Sequence, residues 1–352
     1  MISVQKAINL IKKNIQPVSD EVISTQNSSG RILSKNYKAN YYNPPFDISA
    51  MDGYACRKKD LKILPVQLKI KGQSIAGKKF DSKINKNEAV RIYTGAKIPL
   101  GSDIVIIQEN TVKLNDKTIK INKKNNNAFI RKKGLDFKIK DNWKKVGYPI
   151  KIKDIALGSA MNISKVKVKR KPIVGIISTG DELVPLGKKT KDFQIVSSSS
   201  LSIRSLIEYF GAEVIDLGIS KDNQRSLIKK INKIQKIDLL ITIGGASVGD
   251  RDIVRSSLDD LSFKLIFWKV AIRPGKPIFF GKLNKLPVIG LPGNPVSSYI
   301  CSLIFVSAAI NKLLDRKDSY LNEKVATLGS TLEANDERED YIRARIIKNK
   351  NN

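Results

Sequence analysis

Asp238-Leu239-Leu240-Ile241-Thr242-Ile243-Gly244-Gly245-Ala246-Ser247-Val248-Gly249-Asp250-Arg251-Asp252-Ile253-Val254 is the stretch around which the rest of the chain is arranged. The apolar run Leu239 to Ile243 predicts a strand buried on both faces. Gly244 and Gly245 follow, where the backbone must turn or approach something closely. Ser247 and Gly249 continue the loop. Asp252 stands at an N-cap position ahead of a helical pattern, Ile253 to Leu261. A strand that feeds a Gly-rich loop and a helix start is an anion cradle, with free N–H groups beside a positive helix end. Two carboxylates at its lip, Asp250 and Asp252, suit a phosphate only if a hard cation such as Mg²⁺ bridges them. The same residues also read as a plain strand-to-helix turn with an Asp cap, and on this loop alone both readings stand.

Outward from this stretch, strands and helices alternate. The pattern predicts strand 173–178, helix 199–210, strand 213–218, helix 223–235, strand 238–243 and helix 252–261. It continues with strands 264–269, 277–280 and 287–290 and helix 296–314. Such alternation means an α/β domain with a doubly wound, mostly parallel sheet. Ligands of such sheets bind outside the carboxyl ends of the strands. Three further loops reach that rim: Ser178-Thr179-Gly180-Asp181-Glu182, Arg273-Pro274-Gly275-Lys276-Pro277 and Leu291-Pro292-Gly293-Asn294-Pro295-Val296-Ser297. Four loops converging on one edge predict a site. There is no Gly-x-Gly-x-x-Gly and no Walker A run, so the dinucleotide and P-loop readings lose their usual support.

The first half of the chain reads differently. Val4, Ala7, Ile8, Ile11 and Ile15 recur at helical spacing. Val22 to Leu33 reads as a short strand, a turn at Ser28-Ser29-Gly30, and a further element. Tyr41-Tyr42-Asn43-Pro44-Pro45-Phe46 is stiff and extended. Asp47 to Ala55 gathers small residues, two acids and a Gly, and reads as a turn that could present Asp52 to a site. Short alternating strands at 66–70, 88–94, 103–108 and 118–121 predict a small β-rich domain. Thr94-Gly95 at a strand end could offer a hydroxyl and an N–H to an oxyanion, or be a simple turn. Arg131-Lys132-Lys133 reads as a solvated charge run. A helical segment at 155–161 and a strand at 166–168 precede the α/β pattern. In the tail, 324–328 is strand-like, the cluster Arg338-Glu339-Asp340-Tyr341-Ile342-Arg343 follows, and 348–352 looks frayed.

The 352 residues call for two to four domains. Lysine and arginine number 64 against 33 acids, a net charge of +31, which raises a polyanionic partner. The basic residues are spread over the whole chain and do not interleave with aromatics, so compositional drift and small anions are preferred to nucleic acid. The chain contains no histidine, which excludes Ser-His-Asp and Cys-His catalysis and His-ligated metals. Acid–base or metal work must fall to carboxylates, Lys, Tyr, Ser/Thr or water. Two distant cysteines, Cys56 and Cys301, make no disulfide framework and suit a reducing cytosol. No secretory leader is evident at Met1 to Leu10, and the apolar run Tyr299 to Ile310 is short for a bilayer, so a soluble cytoplasmic protein without membrane association is expected.

Taken jointly, six motifs in this order carry a resemblance. They are Ser49-Ala50-Met51-Asp52-Gly53-Tyr54-Ala55, Thr94-Gly95-Ala96, Ser178-Thr179-Gly180-Asp181-Glu182-Leu183, Gly244-Gly245 to Asp252, Pro274-Gly275-Lys276-Pro277, and Gly290-Leu291-Pro292-Gly293-Asn294-Pro295-Val296-Ser297. Over about residues 1–345 the chain resembles the molybdopterin molybdenumtransferases, the molybdenum-insertion enzymes that include MoeA and the gephyrin E domain. The resemblance implies a multidomain α/β protein: an elongated N-terminal domain in two segments (1–45 and 140–169), an inserted β-rich domain (46–139), an α/β molybdopterin-binding domain (170–316), and a truncated C-terminal β-barrel (317–352).

It also implies an activity: Mg²⁺-dependent insertion of molybdate into adenylylated molybdopterin with release of AMP, in a homodimer whose cleft is shared between protomers. Molybdopterin adenylyltransferase and molybdoenzymes would be partners. On this reading Asp52, Asp181, Glu182 and Asp252 would hold the metal. Arg273, Lys276, Ser297 and Arg338 would meet molybdate, with Asp52, Asp252, Arg273 and Lys276 as the catalytic set. Gly244, Gly245, Ala246 and Ser247 would cradle the terminal phosphate, and Thr94, Thr179, Gly180, Gly249, Pro292 and Asn294 would bind substrate. The chain departs from the family at Ser197-Ser198-Ser199, where an Asp-Ser-Asn-like triplet is usual. It departs again at Arg273, usually Lys, at Asp222-Asn223, usually an acid pair, and in its short tail. Ser197–Ser199 and the short tail motivate an alternative: a non-catalytic binding or scaffold protein of the same fold.

Overall fold

The computed structural model describes residues 1–78, 80–233, 236–245, 261–321 and 324–347. The chain divides into two compact units, one made of Met1–Lys35, Lys144–Ile155 and Lys165–Asn352, the other of Asn36–Trp143 and Ala156–Ser164.

The larger unit is built on a six-stranded sheet whose order is 213–220, 173–179, 239–243, 286–291, 279–283, 263–268. The first four strands run parallel and the last two pair antiparallel. The sheet is thus mixed, with its parallel part where the strand–helix alternation predicts it. Leu239–Ile243 is buried at every position because it lies inside the sheet with a parallel neighbour on each side. Helix Ser199–Tyr209 packs Ile203 and Ile207 on one face of the sheet, and helix Gln224–Ile231 packs Leu227 and Ile231 into the apolar cluster on the other. From strand 173–179 the chain first crosses to 213–220 on one side and then to 239–243 on the other. That reversal makes a switch point between the carboxyl ends at Thr179 and Ile243, where open α/β sheets bind ligands.

Helix Val4–Asn14 adds Val4, Ala7 and Ile11 to the main core at helical spacing, and the Ser3 hydroxyl accepts a bond from the Lys6 N–H at 3.3 Å as its cap. The last helical run, Pro295 to Leu313, is long and apolar enough to cross a membrane by length and composition, against the expectation from the shorter run 299–310. It is 67% buried inside the molecule, as a core helix would be.

Beside this sheet the antiparallel pair Asp20–Ser24 and Lys165–Lys169 carries a charge pair in register. Asp20 faces Lys169 at 2.8 Å and Lys167 at 3.4 Å, with the Asp20 side chain 24% exposed. The Lys169 ammonium, then Lys167, hold the Asp20 carboxyl below its ordinary range. A depressed folded value means the stabilisation is present above the unfolded value and is lost as pH falls through the folded one. Asp20→Asn should therefore lower the melting temperature at pH 7 by about 2 °C, the effect of roughly 1 kcal/mol or less. Scanning calorimetry below about pH 3 should find wild type and variant converging.

The second unit holds a six-stranded mixed sheet of order 104–107, 53–56, 88–92, 66–74, 118–121, 111–115. Here the sequence reading needs a correction. Residues 47–55 read as a turn, yet Gly53–Cys56 is an inner strand, buried at all four positions. The turn is confined to Ala50–Asp52. Gly53 is required by close approach: a Cβ there would lie 1.9 Å from the Ile106 carbonyl oxygen. The Asp-Gly signal marks the entry to a strand, because tertiary pairing overrides turn propensity.

The tail also departs from expectation. Residues 324–328 are irregular and exposed instead of forming a strand. Of the expected C-terminal barrel, described residues 324–347 hold one short strand, Glu339–Asp340, paired parallel with Ile272–Arg273. The helix expected at 252–261 lies outside the described residues.

Candidate functional site

At the switch point the carboxyl ends of four strands enclose a cleft of about 400 Å³. Its floor is Ser178, Thr179 and Ile243. One wall is Gly244 and Gly245, another is Pro292, Gly293, Asn294, Pro295 and Ser297, and Pro277 closes a corner. Ser197, Ser198, Ser199, Glu182 and Asp222 face them.

Two glycines shape the cleft for a physical reason. Gly244 (φ +91°) and Gly245 (φ +65°) both lie in the left-handed region, which a Cβ disfavours. At Gly244 a Cβ would also stand 2.6 Å from the Thr179 carbonyl oxygen. The Gly244 N–H donates to the Leu291 carbonyl at 3.1 Å, tying the end of the central strand to its neighbour. Beside them, the Asn294 side-chain oxygen accepts from the Val296 N–H at 3.0 Å and the Ser297 N–H at 3.1 Å, capping the last helix. The cleft therefore sets one helix N-terminus among polar walls, a setting suited to an anion.

Its acids are gathered on one side. The Asp222 N–H donates to Asp181 at 3.2 Å, and the Glu182 carboxylate packs under Gly180. Burial first, then the charges of Asp181 and Glu182, push the Asp222 carboxyl above its ordinary range. Such crowding of hard oxygen donors is what a cation relieves. Among the described residues no three acids converge closely enough to hold an ion unaided. Mg²⁺ commonly takes one or two carboxylates and completes its shell with water and substrate phosphates, so the donor set fits that mode.

The structure thus brings Thr179, Glu182, Gly244, Gly245, Pro292, Asn294 and Ser297 into one cleft. Asp181 and Gly180 sit just outside it. Ser247, Gly249 and Asp252 lie outside the described residues. Asp222 was missed as a site residue, although its place beyond the carboxyl end of strand 213–220 and before an Asn223-capped helix puts it on the same rim.

Of the residues expected to meet molybdate, Ser297 lines the cleft, whereas the two arginines form a separate group. Arg273 and Arg338 do not line the cleft. Both grip Asp336: Arg273 Nη2 lies 2.6 Å from its carboxylate and Arg338 Nε lies 3.0 Å from each oxygen. Arg273 Nη1 reaches Asp340 at 3.3 Å. The two arginines hold the Asp336 carboxyl far below its ordinary range. Lys276 is exposed beside Pro277.

Beneath this loop sits Cys301, whose thiol, pushed up to about 12 by burial, lies 3.7 Å from the Gly275 carbonyl. A Cβ on Gly275 (φ +119°) would stand 2.4 Å from that sulfur. Gly275→Ala should cost about 1–3 kcal/mol by overpacking. Adding Cys301→Ala should recover part of it, and denaturant unfolding of the four proteins would measure the coupling.

In the other unit Asp52 and Thr94 meet. One Asp52 oxygen accepts the Thr94 N–H at 2.7 Å and its hydroxyl at 2.8 Å. These bonds, the backbone one first, hold the Asp52 carboxyl below its ordinary range. Thr94 thus serves a half-buried carboxylate of the same chain, which leaves its N–H and hydroxyl engaged.

Residues 175–312 match the probable molybdopterin binding domain, and residues 2–161 match the MoeA N-terminal region, domains I and II. The fold is accordingly that of a transferase with a probable molybdopterin binding domain. The chain is 39% identical over 305 residues to the molybdopterin molybdenumtransferase of Haemophilus influenzae, covering 86% of this chain and 74% of that one. It is 34% identical over 313 residues to that of Nostoc sp., covering 87% and 72%. Among solved structures, a molybdopterin biosynthesis MoeA protein from Pyrococcus horikosii superposes with a TM-score of 0.77 at 33% identity, covering 90% of this chain and 81% of that one. The chain belongs to the molybdopterin molybdenumtransferase family.

Proposed function

We propose that this enzyme inserts molybdate into adenylylated molybdopterin and releases AMP in molybdenum cofactor biosynthesis, working in the cytoplasm as a homodimer. The observation that carries the reading is the cleft at the switch point, with its two left-handed glycines and capped helix end, in a chain of this family. Gly244, Gly245 and Asn294 would seat the phosphate end of the substrate. Glu182, with Asp181 and Asp222 as further candidates, would hold Mg²⁺, which when bound neutralises charge on the phosphoanhydride, and Asp52 is a separate candidate carboxylate. Arg273, Lys276 and Arg338 would offer positive charge to the oxyanion. Transfer at a phosphoanhydride needs positioning and charge neutralisation more than a strong base, which suits a chain without histidine. Cys56 and Cys301 are buried and free, as a reducing compartment allows.

The non-catalytic alternative rests on Ser197–Ser199. Those serines line the cleft beside two carboxylates, so the wall keeps acid groups without the usual triplet. Purified protein incubated with adenylylated molybdopterin, Mg²⁺ and molybdate should release AMP stoichiometrically with molybdenum cofactor. Binding of the substrate without AMP release would establish the scaffold reading instead.

A further inference from the structure

Arg273 and Arg338 approach each other from distant parts of the chain because Glu339–Asp340 adds a strand to Ile272–Arg273. The Glu339 N–H donates to the Ala271 carbonyl at 2.9 Å and the Tyr341 N–H to the Arg273 carbonyl at 2.8 Å. The backbone of this corner is therefore fixed on both sides of the two guanidinium groups. Asp340 is fixed with it, its side chain 18% exposed. Asp336 differs. It precedes the strand, follows an exposed irregular stretch, and its side chain is 47% exposed. Its carboxylate takes an Arg273 nitrogen at 2.6 Å and the Arg338 Nε at 3.0 Å on each oxygen. Two guanidinium groups converging on one pair of oxygens is the arrangement that recognises a phosphate-like anion.

We infer that the Asp336 carboxylate is a built-in competitor, occupying the oxyanion position between Arg273 and Arg338 and setting how tightly a free tetrahedral dianion binds there. This rests on the reading of Arg273 and Arg338 as oxyanion residues. A planar monoanion offers two oxygens to the pair, whereas a tetrahedral dianion offers four and twice the charge. The dianion can thus displace Asp336 by swinging it outward, while Asp340 stays on its strand. The carboxyl is held far below its ordinary range, so the competitor remains charged wherever the dianion exists. The consequence is selection: a weakly charged or monoanionic oxyanion loses to the internal carboxylate, and only a dianion at sufficient concentration enters.

The test is tungstate, molybdate and chloride binding by isothermal titration calorimetry to full-length wild type, Asp336→Asn and Arg338→Ala. Asn keeps the size and removes the competing charge. Asp336→Asn should bind tungstate and molybdate roughly five-fold more tightly, the scale of one exposed charge contact. Its discrimination of dianion over chloride should narrow. Arg338→Ala should bind more weakly than wild type. Unchanged or weaker dianion binding by Asp336→Asn would overturn the inference, because Asp336 would then be holding the arginines in place instead of blocking them. So would absence of dianion binding in every protein. The outcome is separable from the proposed reaction: AMP release tests that reaction, and tighter binding in Asp336→Asn stands whether or not AMP appears.

Discussion

Asp52→Asn should lower the rate of AMP release about 100-fold, the scale of removing one electrostatic group from a transfer site, and should leave the melting temperature nearly unchanged. The structure allows this separation. One Asp52 oxygen accepts both the Thr94 N–H and its hydroxyl, and an Asn carboxamide oxygen can accept the same two bonds. What the substitution removes is the charge. Because the two bonds hold the wild-type carboxyl below its ordinary range, Asp52 is ionised at any pH where the enzyme would be assayed. The pH–rate profile of wild type should accordingly show no limb from this group above about pH 4. If Asp52 helps hold the metal, raising Mg²⁺ should recover part of the lost rate in Asp52→Asn. Thr94→Ala should cost less, since the backbone bond survives. Full turnover by Asp52→Asn at limiting Mg²⁺ would reduce Asp52 to a residue that only fixes its turn.

The fold was legible where hydrophobic periodicity was strong and local. Leu239–Ile243 reads as a buried inner strand, and it is one, because a strand between two parallel neighbours is covered on both faces and so is almost continuously apolar, Thr242 being its one polar residue. The edge that carries the cleft was legible for the same reason: strand–helix alternation fixes which ends of the strands face the loops. Gly53–Cys56 was not legible. Its sequence, Gly-Tyr-Ala-Cys, follows an Asp and resembles a turn exit, and only the 1.9 Å approach to Ile106 shows why a Gly must open the strand. Asp336 was not legible either. Nothing local tells an acid two residues before Arg338 that Arg273 will lie on its other side, since that meeting depends on a pairing across more than sixty positions. Asp222 stood between these cases. Its position before Asn223 gave its place on the rim, but its partners Asp181 and Glu182 come from another strand end. Local signals predicted elements and the edge they share, whereas charge pairing across the sheet needed coordinates.

Asn294→Asp should separate a binding role from a capping role at one wall of the cleft. The Asn294 oxygen caps the last helix by accepting from Val296 and Ser297, and Asp caps as well as Asn. The added negative charge lies at a helix N-terminus, where it is favourable by about 0.3–1 kcal/mol. Stability should hold or rise by a degree or two, by the size of that contribution. Binding should move the other way. Asn294 lines the cleft beside Gly244 and Gly245, and Glu182 and Asp222 already face it. A further carboxylate there would confront the phosphate end of the substrate in a partly enclosed space, and the side-chain N–H₂ donor would be gone. Affinity for molybdopterin should fall at least about ten-fold, which is 1.4 kcal/mol or more of lost binding free energy. Fluorescence titration with molybdopterin, set beside calorimetric unfolding of the same samples, reads both quantities. A variant that is as stable as wild type and binds molybdopterin equally well would show that the anionic end of the ligand does not lie against this helix. Loss of both stability and binding would mean that the cap itself had been disturbed. Only stability kept with affinity lost assigns Asn294 to the ligand.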